Sequence, residues 1–212
     1  MAKIPQGILG GISGKIGGIV GSSWKGINVI KTKPLSVANP KTAGQVAQRN
    51  LFGNTVAFAV VILATIIKPL WDRFASRQSG FNAFIQANIA YFVDEMPVFN
   101  TGFAISKGKM AKTDLSIQTR SLASGVYAIE WLDDTGSGYK LATDEIYLVC
   151  VNISKGLVSS SSAAAVRSDL AAEIDFPAGT ELADILNLFW AFKRADGTIV
   201  SNSGNHQGDV AA

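Results

Sequence analysis

The spacing of apolar residues changes several times along the chain, and each change predicts a different kind of element. In residues 7–21, GILGGISGKIGGIVG, the pattern repeats in sevens, with Ile or Leu set between glycines. Each glycine inside a helix costs about 1 kcal/mol relative to alanine, so the seven glycines here oppose a free helix. The pattern predicts an extended arm: glycine permits close backbone approach to another chain, and Ile8, Ile12, Ile16 and Ile19 anchor it. Beyond it, Ile19-Val20 and Ile27/Val29 flank Gly21-Ser22-Ser23, which predicts a short hairpin ended by Pro34. Asn39 then stands as an N-cap with Pro40 at the first helical position, where a missing N–H costs nothing. From Val56 to Ile67 only Thr65 interrupts an apolar run, the mark of a fully buried helix ended or kinked at Lys68-Pro69. Phe81, Phe84, Ile85, Ile89 and Phe92 fall on one face of a second helix, with Asn88 at its edge.

From about residue 100 the period becomes two. VYAIEWL places Tyr127, Ile129 and Trp131 on one face, and DDTGSG follows as a turn. EIYLVCVNI is a nearly continuous buried strand, AAEIDFP another, and LNLFWAFK runs through Asp196-Gly197 into a hairpin. Residues 159–165, SSSSAAA, read as an exposed loop. Seven or so strands at this spacing predict an antiparallel sandwich of immunoglobulin or fibronectin-III type. The expected fold class is therefore α+β, divided into an arm and hairpin (1–38), a helical region (39–98) and a sandwich with a polar C-terminal tail (99–212). Residues ~105–206 are expected to close a core by themselves.

Candidate chemistry is sparse. Cys150 is the single cysteine, which excludes an intrachain disulfide and reads as a core residue. His206 is the single histidine and reads as a solvated tail residue, leaving no partner for the usual zinc sites or a Ser–His–Asp triad. Asp133-Asp134, Asp144-Glu145 and Asp169…Glu173 sit in turns and strand edges and read as solvated rather than as paired acid and base. The expectation is a protein that is not an enzyme, with no cofactor, no metal and no small-molecule substrate. Gly14-Lys15 lacks the glycine and the Ser or Thr that a phosphate loop needs. Residues 7–21 also fall short of the ~20 apolar residues of a membrane span, although their small-xxx-small pairs keep a membrane contact open. No small-residue cleavage site of a secretion signal follows them. Charge is more informative. Eight Lys and Arg and no Asp or Glu precede Asp72, and since the whole chain is +3 the remainder carries −5. Such a split favours an acidic partner for the front end.

The segments GILGGISGKIGGIVGSSWKG, NPKTAGQVAQRNLF, ISKGKM and FWAFKRADGTIVSNS together resemble a domain-of-unknown-function family of about this length, found mainly in Bacteroidetes genomes and their phages. The resemblance covers nearly the whole chain and implies no established activity. A looser pattern, Trp24-Lys25-Gly26 followed by Asn39, Pro40, Thr42, Gln45 and Arg49 at the start of a helix, is similar to small proteins encoded among phage structural genes. That similarity implies a virion component, and the very apolar 56–67 stretch implies deeper burial between subunits. The expected function is thus structural: a capsid-associated, decorating or tail/fibre protein of a bacteriophage virion. Its partners are further copies of itself and other particle proteins. Ile8, Ile12, Gly14, Ile16, Gly18, Ile19, Trp24 and Lys25 form its association surface. Two other readings stand beside it: a nucleic-acid-contacting protein using the basic first third, and an adhesin-like module at the bacterial cell surface. A cytoplasmic location is the further alternative to the virion.

Overall fold

A computed structural model describes residues 2–3, 13–36, 39–93, 96–98 and 102–211. The chain forms two compact units, residues 1–46 and residues 47–212.

The first unit is built on one antiparallel sheet. Its strands are β1 (Ala2–Lys3), β2 (Gly14–Ile16), β3 (Ile19–Trp24) and β4 (Ile27–Thr32), in the order β1-β4-β3-β2. Ile16 pairs with Ile19 across the two-residue turn Gly17-Gly18, and Trp24 pairs with Ile27 across Lys25-Gly26. Lys25 and Gly26 both have positive φ, 43° and 80°, the geometry of a tight hairpin turn whose twist matches its strands. The hairpin is present, but it turns at Lys25-Gly26; the expected turn, Gly21-Ser22-Ser23, lies inside β3.

The second unit has three layers. A three-stranded antiparallel sheet, β11-β8-β7, contains β7 (Leu115–Ser121), β8 (Val126–Trp131) and β11 (Ala171–Asp175). A four-stranded sheet, β10-β9-β12-β13, contains β9 (Glu145–Asn152), β10 (Leu157–Ser161), β12 (Ile185–Lys193) and β13 (Gly204–Asp209). Between the sheets lies one core, where Tyr127, Ile129 and Trp131 meet Leu148, Cys150, Leu188 and Phe192. The opposite face of the four-stranded sheet is also covered. Tyr147, Val149, Val151, Phe189 and Ala191 share a second core with Phe58, Ile62, Ile66, Leu70 and Phe84 of the helices and with Phe103. Edge-to-face ring contacts link Phe58, Phe92, Phe84 and Phe189 through Phe103. Double-sided burial is why EIYLVCVN and ILNLFWAFK carry apolar residues without alternation. The core between the sheets is built from residues 110–210 alone, while the helices cover the other face of the four-stranded sheet. A two-stranded ribbon, β5 (Phe92–Val93) with β6 (Met96–Pro97), follows the helices.

The helices depart from the expected pattern at both ends and in the middle. α1 spans Ala43–Val61 rather than opening at Pro40. Thr42 caps it, its Oγ1 accepting the Gln45 N–H at 3.4 Å and its carbonyl the Val46 N–H at 3.0 Å. The break comes at Ile62 (φ −96°, ψ 11°), followed by a π-helical turn, Leu63–Ile67, whose wide geometry shows in the Ile67 N–H bonding Ile62 O at 3.1 Å. The halves on either side are bent by 71°. Pro69 is not the kink. It sits in the first turn of α2 (Lys68–Trp71), where proline is tolerated. Nor is the 56–67 run fully buried: Val60 and Val61 are 57% and 58% exposed. α3 (Gly80–Asn88) opens at Ser79, whose side chain accepts the Asn82 N–H. Asn88 is fully buried rather than at the helix edge. Its amide donates to the carbonyls of Phe84 and Ala104 at 3.0 Å and accepts the Ala104 N–H at 2.9 Å, clamping the 102–110 segment to α3.

Three more expectations are corrected. Ser159–Ser161 belong to β10, paired with Leu148–Cys150, so only the residues after them form a loop. The C-terminal residues are not a free tail: β13 pairs with β12 along its length, His206 opposite Leu188. Asp134 and Asp144 are not solvated. They flank the fully buried Arg167, which donates from Nε to Asp144 Oδ2 at 3.2 Å and from Nη1 to Asp134 and to Thr113 Oγ1. The guanidinium lies 4.0 Å from the centroid of the Phe192 ring.

Candidate association surface

The first unit is unusual in what it does not bury. Among the described residues from 13 to 46, no apolar side chain is buried; Gly21 is the one buried position. Pairing register assigns the faces, because residues opposite one another point the same way. One face carries Ile16, Ile19 and Ile30 with Gly14, Gly21 and Thr32. The other carries a row of Lys15, Val20 and Lys31, and beyond it Val29, Trp24 and Ile27. An antiparallel sheet ordinarily packs one face and wets a polar one. Here both faces are apolar in part, and Ile16 and Trp24 are 65% and 59% exposed.

Of the residues expected to form an association surface, Gly14, Ile16, Gly18, Ile19, Trp24 and Lys25 come together in this sheet. Ile8 and Ile12 lie outside the described residues. Gly14 has φ +103°, which a β-branched residue resists, whereas Gly18 has open space around its Cα and no such constraint. The helix-start group divides. Thr42 and Gln45 make the cap, Arg49 lies within α1, and Asn39 and Pro40 precede the helix.

Two surfaces were missed by sequence reasoning. From Ala43 to Asn50 every residue of α1 is exposed, so its first two turns bury no side chain. Farther along, Thr55, Phe58, Ala59 and Ile62 are buried, while Gly53, Ala57, Val60 and Val61 line the opposite, open side. The all-round apolarity of the stretch carries that signal, but apolarity alone does not tell an open side from a buried one. The second missed surface is acidic. On the outward side of β8 and β11, Glu130, Glu173 and Asp175 are all exposed, and Glu130 is paired opposite Ala171. Period-two alternation contained that signal.

The single cysteine and the single histidine both sit within the folded unit. Cys150 is fully buried, and burial pushes its thiol up to about 12. His206 lies 3.1 Å from Arg120 Nη1, and burial, then the Arg120 charge, hold its pKa below the ordinary value. Among the described residues no group of three or more His, Cys, Asp or Glu could hold a metal ion. No single described helix is long and apolar enough to cross a membrane; the bent pair Ala43–Val61 and Leu63–Trp71 satisfies length and composition only together.

The molecule is thus a mixed protein of helices and antiparallel sheets with a basic sheet unit at its front. The chain belongs to a family of unknown function, DUF6266, whose model matches residues 11–206. No curated protein and no solved structure matches it.

Proposed function

We propose that this protein is a non-enzymatic assembly component that joins copies of itself, and neighbouring particle proteins, through its N-terminal sheet and the open side of α1. The observation that carries this reading is the N-terminal sheet with apolar residues on both faces and none buried. Such a sheet gains little from folding alone and much from a covering surface. Charge names the cover. Lys15 and Lys31 share one face, and the exposed Glu130, Glu173 and Asp175 offer its complement on another copy. Pairing unlike surfaces makes the contact head-to-tail, which yields rings or filaments.

A bacteriophage virion, in a capsid-associated, decorating or tail/fibre position, is the setting this reading favours. The strand arrangement, β11-β8-β7 facing β10-β9-β12-β13, supports a fibronectin-III-type sandwich with a helical layer added to one face. Sandwich domains suit particle proteins because their loops vary without disturbing the core. A second reading has one specific observation in its favour: Lys15, Lys31 and Trp24 on a single sheet face could hold a nucleic-acid strand.

Light scattering on the intact protein and on a chain lacking residues 1–22 tests the proposal. The deletion should stay folded by circular dichroism and lose the native assembly. Gly18→Val should do the same, because the sheet itself has room for the side chain and only a partner would be displaced. Lys15→Glu with Lys31→Glu should dissociate the assembly, and adding Glu130→Lys with Glu173→Lys should restore it. Normal assembly by the deletion would sink the proposal, and tight, salt-dependent DNA binding lost in Lys15→Glu would favour the second reading.

A further inference from the structure

The second unit contains a groove of about 870 Å³ between the 102–112 segment and residues 198–205. It is a different region from the sheet and helix surfaces described above. Its construction starts with a glycine. A Cβ at Gly108 would overlap the Val200 carbonyl, so only glycine lets the two segments lie so close. Backbone bonds then lace them together: Met110 N–H to Val200 O at 3.2 Å, Asn202 N–H to Met110 O at 2.9 Å, and Ser203 N–H to Ser106 O at 3.2 Å. Ser106 Oγ donates to Ser201 O, and Asn202 Oδ1 accepts the Gly108 N–H. The walls are held by the protein's own bonds rather than awaiting a ligand to form them.

What lines this groove is one-sided. Lys107, Lys109 and Lys112 reach it and no Asp or Glu does, in a unit whose residues 47–212 hold 16 acids and 13 bases. Lys112 is paired with Asp114 at 3.0 Å. Lys107 and Lys109 are exposed, lie two residues apart around Gly108, and make no ion pair among the described residues. Two more features complete the lining. Tyr139 and Phe74 are 51% and 40% exposed, so their rings are open for stacking. Asn202, Ser203 and Asn205 add amide and hydroxyl groups along one wall.

We infer that this groove binds a sugar carrying an acidic group, either a uronate or a sugar phosphate. Two lysines without an ion pair, in a lining that holds no Asp or Glu, select an anion. Amides and hydroxyls both donate and accept, which suits the hydroxyls of a sugar ring. The exposed aromatic rings offer the apolar face of such a ring a flat partner. The volume lies in the range of sites that enclose a small ligand, not of a track for a long polymer. Binding, not turnover, is assigned: the lining offers lysines, amides, hydroxyls and rings, and no Asp, Glu, His or Cys.

Calorimetry on the full chain tests this with four probes: a glucuronate-containing tetrasaccharide, glucose 6-phosphate, a neutral glucose tetrasaccharide and a ten-nucleotide single-stranded DNA. At least one acidic sugar should bind, and which of the two binds tells a glycan end from a free metabolite. Losing a charge-assisted hydrogen bond costs enough that Lys107→Ala with Lys109→Ala should weaken binding about tenfold. The neutral sugar should be weaker by a similar factor. Tyr139→Ser should weaken binding with an unchanged melt, which keeps the test valid if the lysine pair alters the local backbone. Equal binding of neutral and acidic sugars, binding indifferent to the variants, DNA bound more tightly than either acidic sugar, or no binding by any probe would each overturn the inference.

Discussion

Arg167 shows how much of this protein's stability rests on one side chain that looks unremarkable in the sequence. It sits in a short turn, RSD, yet is fully buried against Asp144, with Asp134 and Lys140 bonded to one another at the cluster's outer edge. Removing one partner of a buried pair strands the other, commonly at 3–5 kcal/mol. The cluster also has a pH signature. Burial raises the Asp134 pKa, but hydrogen bonds from Lys140 and Thr113 and the Arg167 charge outweigh it and hold the carboxyl below its ordinary value. A depressed pKa adds stability that is present above the unfolded value and lost as pH falls through the folded one. Denaturant melts of the wild type and Asp134→Asn should therefore differ by a constant amount near neutrality. The gap should close as pH drops below the ordinary value of 3.8. A gap that persists unchanged at pH 3 would contradict the assignment. Neither burial is legible in the sequence: Arg167 stands in a polar turn, and Asn88, set among apolar residues, reads as a helix-edge position. Their burial comes from segments far away in the chain, Thr113 and Ala104 respectively.

At the scale of elements, the strands were the most legible part, since alternation in VYAIEW and AAEID reports a half-buried sheet directly. The continuous runs in β9 and β12 were legible as buried strands but not as strands covered on two sides by different layers. A run without alternation does not say what lies across each face. The same limit applied to α1: an apolar helix looks alike whether its far side meets the protein's own core or is left open. Sequence also placed the bend at Pro69, where proline is the visible breaker, whereas the bend comes at Ile62 and only φ/ψ reveals it. The layer structure makes a firm prediction. A fragment of residues 99–212 lacks the helices and would bare Tyr147, Val149, Val151, Phe189 and Ala191. It should aggregate or melt without cooperativity, while residues 47–212 should melt as one transition and stay soluble. Calorimetry and sedimentation of the two fragments check this.

For the whole molecule, the charge split is the feature most fully legible in the sequence, since it needs no structure to count. What the sequence left out was where the acids gather, on the outward side of β8 and β11. If unlike surfaces join neighbouring copies, their attraction is screened beyond about 8 Å at physiological ionic strength and beyond about 3 Å at 1 M. The sedimentation coefficient should fall as salt is raised from 50 mM to 1 M. Assemblies indifferent to salt would leave apolar packing alone as the glue, with the charges serving solubility.

The doubly covered central sheet also sets an order of manufacture. β9 and β12 are hydrogen-bonded neighbours, but β12 begins about forty residues after β9. At about 5–20 residues per second, β9 waits roughly 2–8 s for its partner on a ribosome. The helices, made earlier, already offer one aromatic wall through Phe58 and Phe84. That wall gives the waiting strand a cover on one side, so the front half of the chain acts as a holding surface for the back half. A message cut short before residue 185 would leave that cover with half a sheet and nothing to finish it.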